Sequence, residues 1–159
     1  MFTKNLKKIK IMKLSNEFKY GFLIFLGIGF YFLLMEVLGL SNLYFLRILN
    51  VIIIVYGLNL VIKSNLENGK TGYLQNFTSS ALTGFIGIAL SIIGLFLYLN
   101  LRGGTLYLNK LSDAFLFGGD PSIPEYSFGL FIEGIASVLM VAFINILYWK
   151  TKNVFKEEM

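Results

Sequence analysis

Residues 20–63 read YGFLIFLGIGFYFLLMEVLGLSNLYFLRILNVIIIVYGLNLVIK. Two apolar runs, Tyr20 to Leu40 and Leu43 to Lys63, are separated only by a short polar break at Ser41-Asn42. Each holds about twenty residues, which at ~1.5 Å of rise per residue spans a hydrocarbon core of ~30 Å. The connection Gly39-Leu40-Ser41-Asn42 is short enough to demand a tight antiparallel hairpin. Two further runs of similar length follow, ALTGFIGIALSIIGLFLYLNL from Ala81 to Leu101 and FGLFIEGIASVLMVAFINILYW from Phe128 to Trp149. The pattern predicts an all-α polytopic membrane protein with four transmembrane helices in an antiparallel bundle. Its parts are a basic N-terminal segment (1–19), the bundle (20–149) and a short tail (150–159).

Composition agrees, since 56% hydrophobic and 14% charged residues do not supply the polar surface a soluble domain of 159 residues requires. The chain has no cysteine and no histidine. That removes thiol nucleophiles, thiolate metal sites and imidazole acid–base chemistry together, so no cofactor, no metal and no enzyme activity is expected. The net charge of +5 does not point to nucleic acid, because the positive residues stand beside span ends.

Those charges set the expected topology. Lys4, Lys7, Lys8, Lys10, Lys13 and Lys19 precede the first span, Lys63 and Lys70 fall at the second connection, and Lys150, Lys152 and Lys156 follow the last span. The opposite side carries Arg47, Arg102 and Lys110. By the positive-inside rule both termini are cytoplasmic, with the first span an uncleaved signal anchor. Tyr20, Tyr148 and Trp149 at one boundary and Tyr44, Tyr98 and Tyr126 at the other fit aromatic belts. In the N-terminal segment Phe2, Leu6, Ile9 and Met12 recur at helical spacing among lysines, as in a topogenic flank lying on the inner leaflet. Ser15 or Asn16 caps the first membrane helix.

Four ionisable residues form a candidate site. Glu36 stands five residues before Ser41 and Arg47 five after Asn42, so the hairpin sets them at one depth. Glu133, five residues beyond Phe128, matches them, and Arg102 closes the third span. An unpaired charge at the bilayer centre costs at least ~2.5–3.5 kcal/mol on insertion scales, so a layer of two acids and two bases reads as a polar clasp or as an ion or substrate site. On the third span Ser80, Gly84, Gly87, Ser91 and Gly94 recur at spacings of three and four, a small seam along which a helix can pack closely. Asn50, Asn59, Thr83 and Asn145 are further polar residues inside the spans, suited to interhelical hydrogen bonds.

Between spans three and four, glycine pairs bracket TLYLNKLSDAFLF, in which Leu108, Leu111 and Phe115 share one helical face. This is a short amphipathic helix of the outer loop, and Pro121 and Pro124 stiffen the approach to the last span. The other connection, from Ser64 to Ser80, contains an Asn-Gly turn and reads as a cytoplasmic link, so its sequon Asn76-Phe77-Thr78 is not a glycosylation site.

FKYGFLIFLGIGF, FLRILNVIIIVYGLNLVIK, the link ENGKTGYLQNF and EGIASVLMVAFINILYWK occur in an order that resembles small four-span bacterial inner-membrane proteins of a domain of unknown function. The resemblance implies a multi-pass protein of the bacterial cytoplasmic membrane and brings no catalytic residue or substrate. Two roles stay open. One is a non-catalytic accessory subunit that packs against another integral membrane protein, or against itself as a homo-oligomer, within the lipid bilayer. The other is a small oligomeric transporter or channel that uses the acidic residues near the outer face.

Overall fold

A computed structural model of the chain describes residues 15–112 and 120–152, apart from the side chains at 44 and 112. The described part is helical: α1 (Asn16–Val37), a 3-10 turn (Tyr44–Ile48) running into α2 (Leu49–Glu67), α3 (Tyr73–Leu101), α4 (Thr105–Ser112) and α5 (Ile123–Thr151). Four segments are long and apolar enough to cross a membrane: Asn16–Val37, Phe45–Glu67, Tyr73–Leu101 and Ile123–Thr151. Phe2, Leu6, Ile9, Met12, Asp113, Phe115 and the end of the tail lie outside the described residues.

Helix ends depart from the hydropathy boundaries where side chains supply the missing backbone partners. The Ser15 hydroxyl accepts from the Phe18 N–H, so α1 starts four residues before Tyr20. The link expected from Ser64 to Ser80 is mostly helix, and only 68–72 separates α2 from α3. Gly69 turns at φ +77, and the Asn76 amide donates to the carbonyls of Lys70 and Gly72, each at 2.8 Å. Polar residues that read as a connection, among them Asn76, Ser79 and Ser80, are therefore buried on α3. α5 begins at Ile123, five residues before Phe128, because the Glu125 carboxylate accepts from both the N–H and the hydroxyl of Ser122 and Pro124 sits in the first turn.

α3 touches α1, α2 and α5, and α2 also touches α1 and α5. Small residues set these approaches. A Cβ on Gly84 would lie 2.4 Å from Val138 of α5, and one on Gly87 2.8 Å from Ile24 of α1. The seam on α3 is thus filled by two helices of the same chain. Ile24, Ile54, Leu58, Ile88, Val138, Val141 and Ala142 form the core that these approaches enclose. A second cluster closes one end, where Leu108 and Leu111 of α4 pack with Leu99, Ile123 and Tyr126. The apolar face expected for the short helix is its docked face.

Candidate functional site

Toward the α4 end the core opens into a cavity of about 430 Å³ between α1, the 3-10 turn with α2, α3 and α5. Ile54 and Ile88 belong both to its wall and to the closed core, so it begins where the packed half of the molecule ends. Small residues on facing helices line it: Gly29, Ser91, Gly94, Gly134 and Ser137. A Cβ on Gly29 would meet nothing within 4 Å. The walls are mainly apolar and aromatic, with a few polar groups converging among them, which is the usual composition of a ligand pocket.

Arg47 and Glu133 are on this wall. Arg47 donates from Nη2 to the Tyr126 hydroxyl, with its guanidinium 5.5 Å from the centroid of the same ring. Tyr126 is only 1% exposed and feels the charges of both Arg47 and Glu133. On α5, Tyr126, Leu130, Glu133 and Ser137 follow one another at helical spacing and all line the cavity. Because α5 begins at Ile123, Glu133 lies ten residues, or ~15 Å, along its helix and is deeper than the hydropathy boundary implied.

Glu36 and Arg102 belong to a separate group at the rim. The Glu36 carboxylate is turned toward the hydroxyls of Tyr107 and Ser41 and feels the charges of Arg102 and Lys110. Its Oε2 and the Tyr107 hydroxyl, both buried, lack a hydrogen bond of good geometry among the described residues. Burial, followed by the neighbouring Glu36 carboxylate and Tyr98, pushes the Tyr107 hydroxyl well above the ordinary tyrosine range. Arg102 donates from Nε to the Tyr98 hydroxyl at 3.1 Å and sits over that ring, and this bond raises its basicity further.

The single layer expected of Glu36, Arg47, Glu133 and Arg102 is thus divided into these two groups. The reason is rotational. Residues 44–48 form a 3-10 turn, which advances about 120° per residue where an α-helix advances about 100°, and Arg47 is carried toward α5. Arg47 then meets Tyr126 in the cavity, and Arg102 and Glu36 meet Tyr98 and Tyr107 at the rim. Sequence reasoning placed Tyr98 and Tyr126 in an aromatic belt and assigned no role to Tyr107. The available signal was that all three precede or follow a charged residue by one helical turn or stand at a helix end.

Of the remaining polar residues, Asn59 and Asn145 tie helices together, whereas Thr83 and Ser91 bond within α3. Trp149 donates to Asn59 Oδ1 at 2.8 Å, Asn145 donates to the Val55 carbonyl at 3.3 Å, and Thr83 and Ser91 donate back to the carbonyls of Ser79 and Gly87. Ser80 is fully buried and Gly94 faces the Phe25 ring, which completes the seam. Asn50 differs, because its Oδ1 is buried without a hydrogen-bond partner among the described residues. At the opposite end is a polar chain that hydropathy did not single out: Asn65 donates to Ser79 at 2.9 Å, and Ser79 to Glu17 Oε1 at 2.6 Å. Asn16 donates to Ser64 beside it. Apart from Ser79 on α3, those residues sit in the first turn of α1 and the last turn of α2.

No protein family, curated protein or solved structure matches the chain.

Proposed function

We propose that this chain is a multi-pass protein of a bacterial cytoplasmic membrane, an antiparallel bundle with both termini cytoplasmic, that holds a small amphipathic solute in the cavity between its helices. The activity is binding or transport, not catalysis. The observation that carries this reading is the cavity itself, apolar over most of its wall yet bearing Arg47, Asn50 and Glu133. In a membrane, ionisable side chains are retained where they face a partner or a solute path. An accessory-subunit role keeps the exposed apolar face of α5 as a docking surface, but the α3 seam is occupied within the chain.

The cysteine-free chain makes a direct test available. Ser137→Cys places a thiol on the cavity wall, and Ala142→Cys places one in the closed core, where Ala142 is fully buried. In detergent, a small maleimide is expected to alkylate Cys at 137 at least about tenfold faster, since the core thiol reacts only after local unfolding. Equal rates would remove the cavity as a site.

Orientation is tested with an impermeant thiol reagent on intact cells. Ser41→Cys is expected to label from outside, and Asn68→Cys only after permeabilisation, as lysine placement requires. The reverse pattern would invert the topology.

A further inference from the structure

We propose that the cavity is built for a zwitterion: a primary ammonium and an acid group carried on an apolar body. This rests on the ligand-cavity reading and assigns the ligand's charges. Arg47 has five N–H donors, and among the described residues only Nη2 is engaged, on Tyr126. The rest of the fork is left for a carboxylate or phosphate, which guanidinium groups take in bidentate fashion. Asn50 follows three residues later and so shares the face of Arg47, about one turn further along. Asn50 lines the same cavity, and its Oδ1 is a buried acceptor with no hydrogen-bond partner among the described residues. Most buried acceptors in native structures are paired, so an orphan on a residue of the cavity wall is a place where a ligand donor would be satisfied. Glu133, on the α5 wall, is a second acceptor-only group without a hydrogen bond among the described residues.

Four other polar groups on the wall are occupied within the protein. Tyr31 donates to the Leu46 carbonyl at 2.9 Å, Ser91 donates to the Gly87 carbonyl, Tyr98 accepts from Arg102, and Tyr126 accepts from Arg47. The cavity wall thus carries a fixed cation, Arg47, and two further acceptors, one of them anionic. An amphipathic anion would satisfy Arg47 but meet Glu133, and an amphipathic cation would satisfy Glu133 but meet Arg47. A molecule carrying both charges satisfies both walls. Its acid group belongs at Arg47 and its ammonium on the Asn50 and Glu133 side, and its apolar body has Phe25, Ile92 and Leu95 to pack on.

Two sources supply that chemistry, a free apolar amino acid and the head of an aminophospholipid, and one experiment separates them. The rate of maleimide alkylation of the Ser137→Cys protein is followed in detergent with added L-phenylalanine, phenethylamine or 3-phenylpropionate. In parallel it is followed with mixed micelles of phosphatidylethanolamine or phosphatidylglycerol. A zwitterion is expected to slow alkylation at concentrations at least about tenfold lower than either singly charged analogue, because each missing group strands a polar partner on the wall. Protection by phenylalanine assigns a soluble solute, and protection by phosphatidylethanolamine alone assigns a bilayer lipid.

In the same background, Glu133→Gln is expected to erase the preference for phenylalanine over phenylpropionate, and Arg47→Gln its preference over phenethylamine. Glu133→Asp should restore the first. Protection by all amphiphiles regardless of charge would overturn the zwitterion assignment and leave the cavity reading intact. Protection by none would overturn both. The ligand series on the protein with Arg47 and Glu133 unchanged decides the matter even where a charge variant fails to fold.

Discussion

Gly21→Ala is expected to force α1 away from α3 and to destabilise the folded protein by about 1–3 kcal/mol, the usual cost of overpacking. A methyl at this position would lie 2.8 Å from the Thr83 carbonyl oxygen and 2.9 Å from Ile86 Cβ. A backbone atom and a β-branch point cannot rotate aside, so relief requires the two helices to separate. Gly29→Ala is the matched control on the same helix, because nothing lies within 4 Å of its new methyl. That change is expected to be neutral or stabilising, since alanine exceeds glycine in helix propensity by up to ~1 kcal/mol. Unfolding in mixed SDS micelles, followed by far-UV circular dichroism, gives both values. Equal stability of the two variants would show that α1 and α3 do not approach as described. Gly84→Ala is relieved differently, since its obstruction is the Val138 side chain, so Val138→Ala is expected to restore stability there and to do nothing for Gly21→Ala.

The second large effect is expected at Tyr126. Its ring joins the α4 cluster to the cavity and its hydroxyl holds Arg47. Tyr126→Ala removes a fully buried aromatic ring and is expected to cost about 3–5 kcal/mol by analogy with other large-to-small core changes. Tyr126→Phe keeps the ring and removes only the acceptor, for which about 1–3 kcal/mol is expected because a charged donor loses its partner. The same SDS titration separates the two. A phenylalanine variant as damaged as the alanine variant would assign the stability of this end to the hydroxyl and not to packing. A phenylalanine variant indistinguishable from the parent would remove Arg47 from the hydrogen-bonded role given to it.

Much of this fold is legible in hydropathy, and particular residues show where legibility stops. Leu108 and Leu111 stood on one face by spacing and are buried on that face. Gly84, Gly87 and Ser80 stood in a seam, and the seam is where α1 and α5 pack. The stretch NGKTGYLQNFTSS read as a link because of its amides and hydroxyls, yet most of it is helical. Its Ser79 finds partners on α1 and α2, Glu17 and Asn65, that no local pattern reveals. The candidate site was legible as a set of residues and not as a geometry, for depth can be counted along a helix whereas rotation about its axis cannot.

The sequence alone determined that the long elements are helices and roughly how many there are. An apolar run of bilayer length must satisfy its backbone internally, and the helix does so whatever its neighbours. Only the tertiary structure decided which charged residues share a space. One 3-10 turn at Tyr44–Ile48 and an α5 start at Ile123 moved Arg47 and Glu133 onto the cavity and left Glu36 and Arg102 at the rim. Such rotations cost little locally and are set by which side chains can interdigitate, a property of facing surfaces that no single span contains.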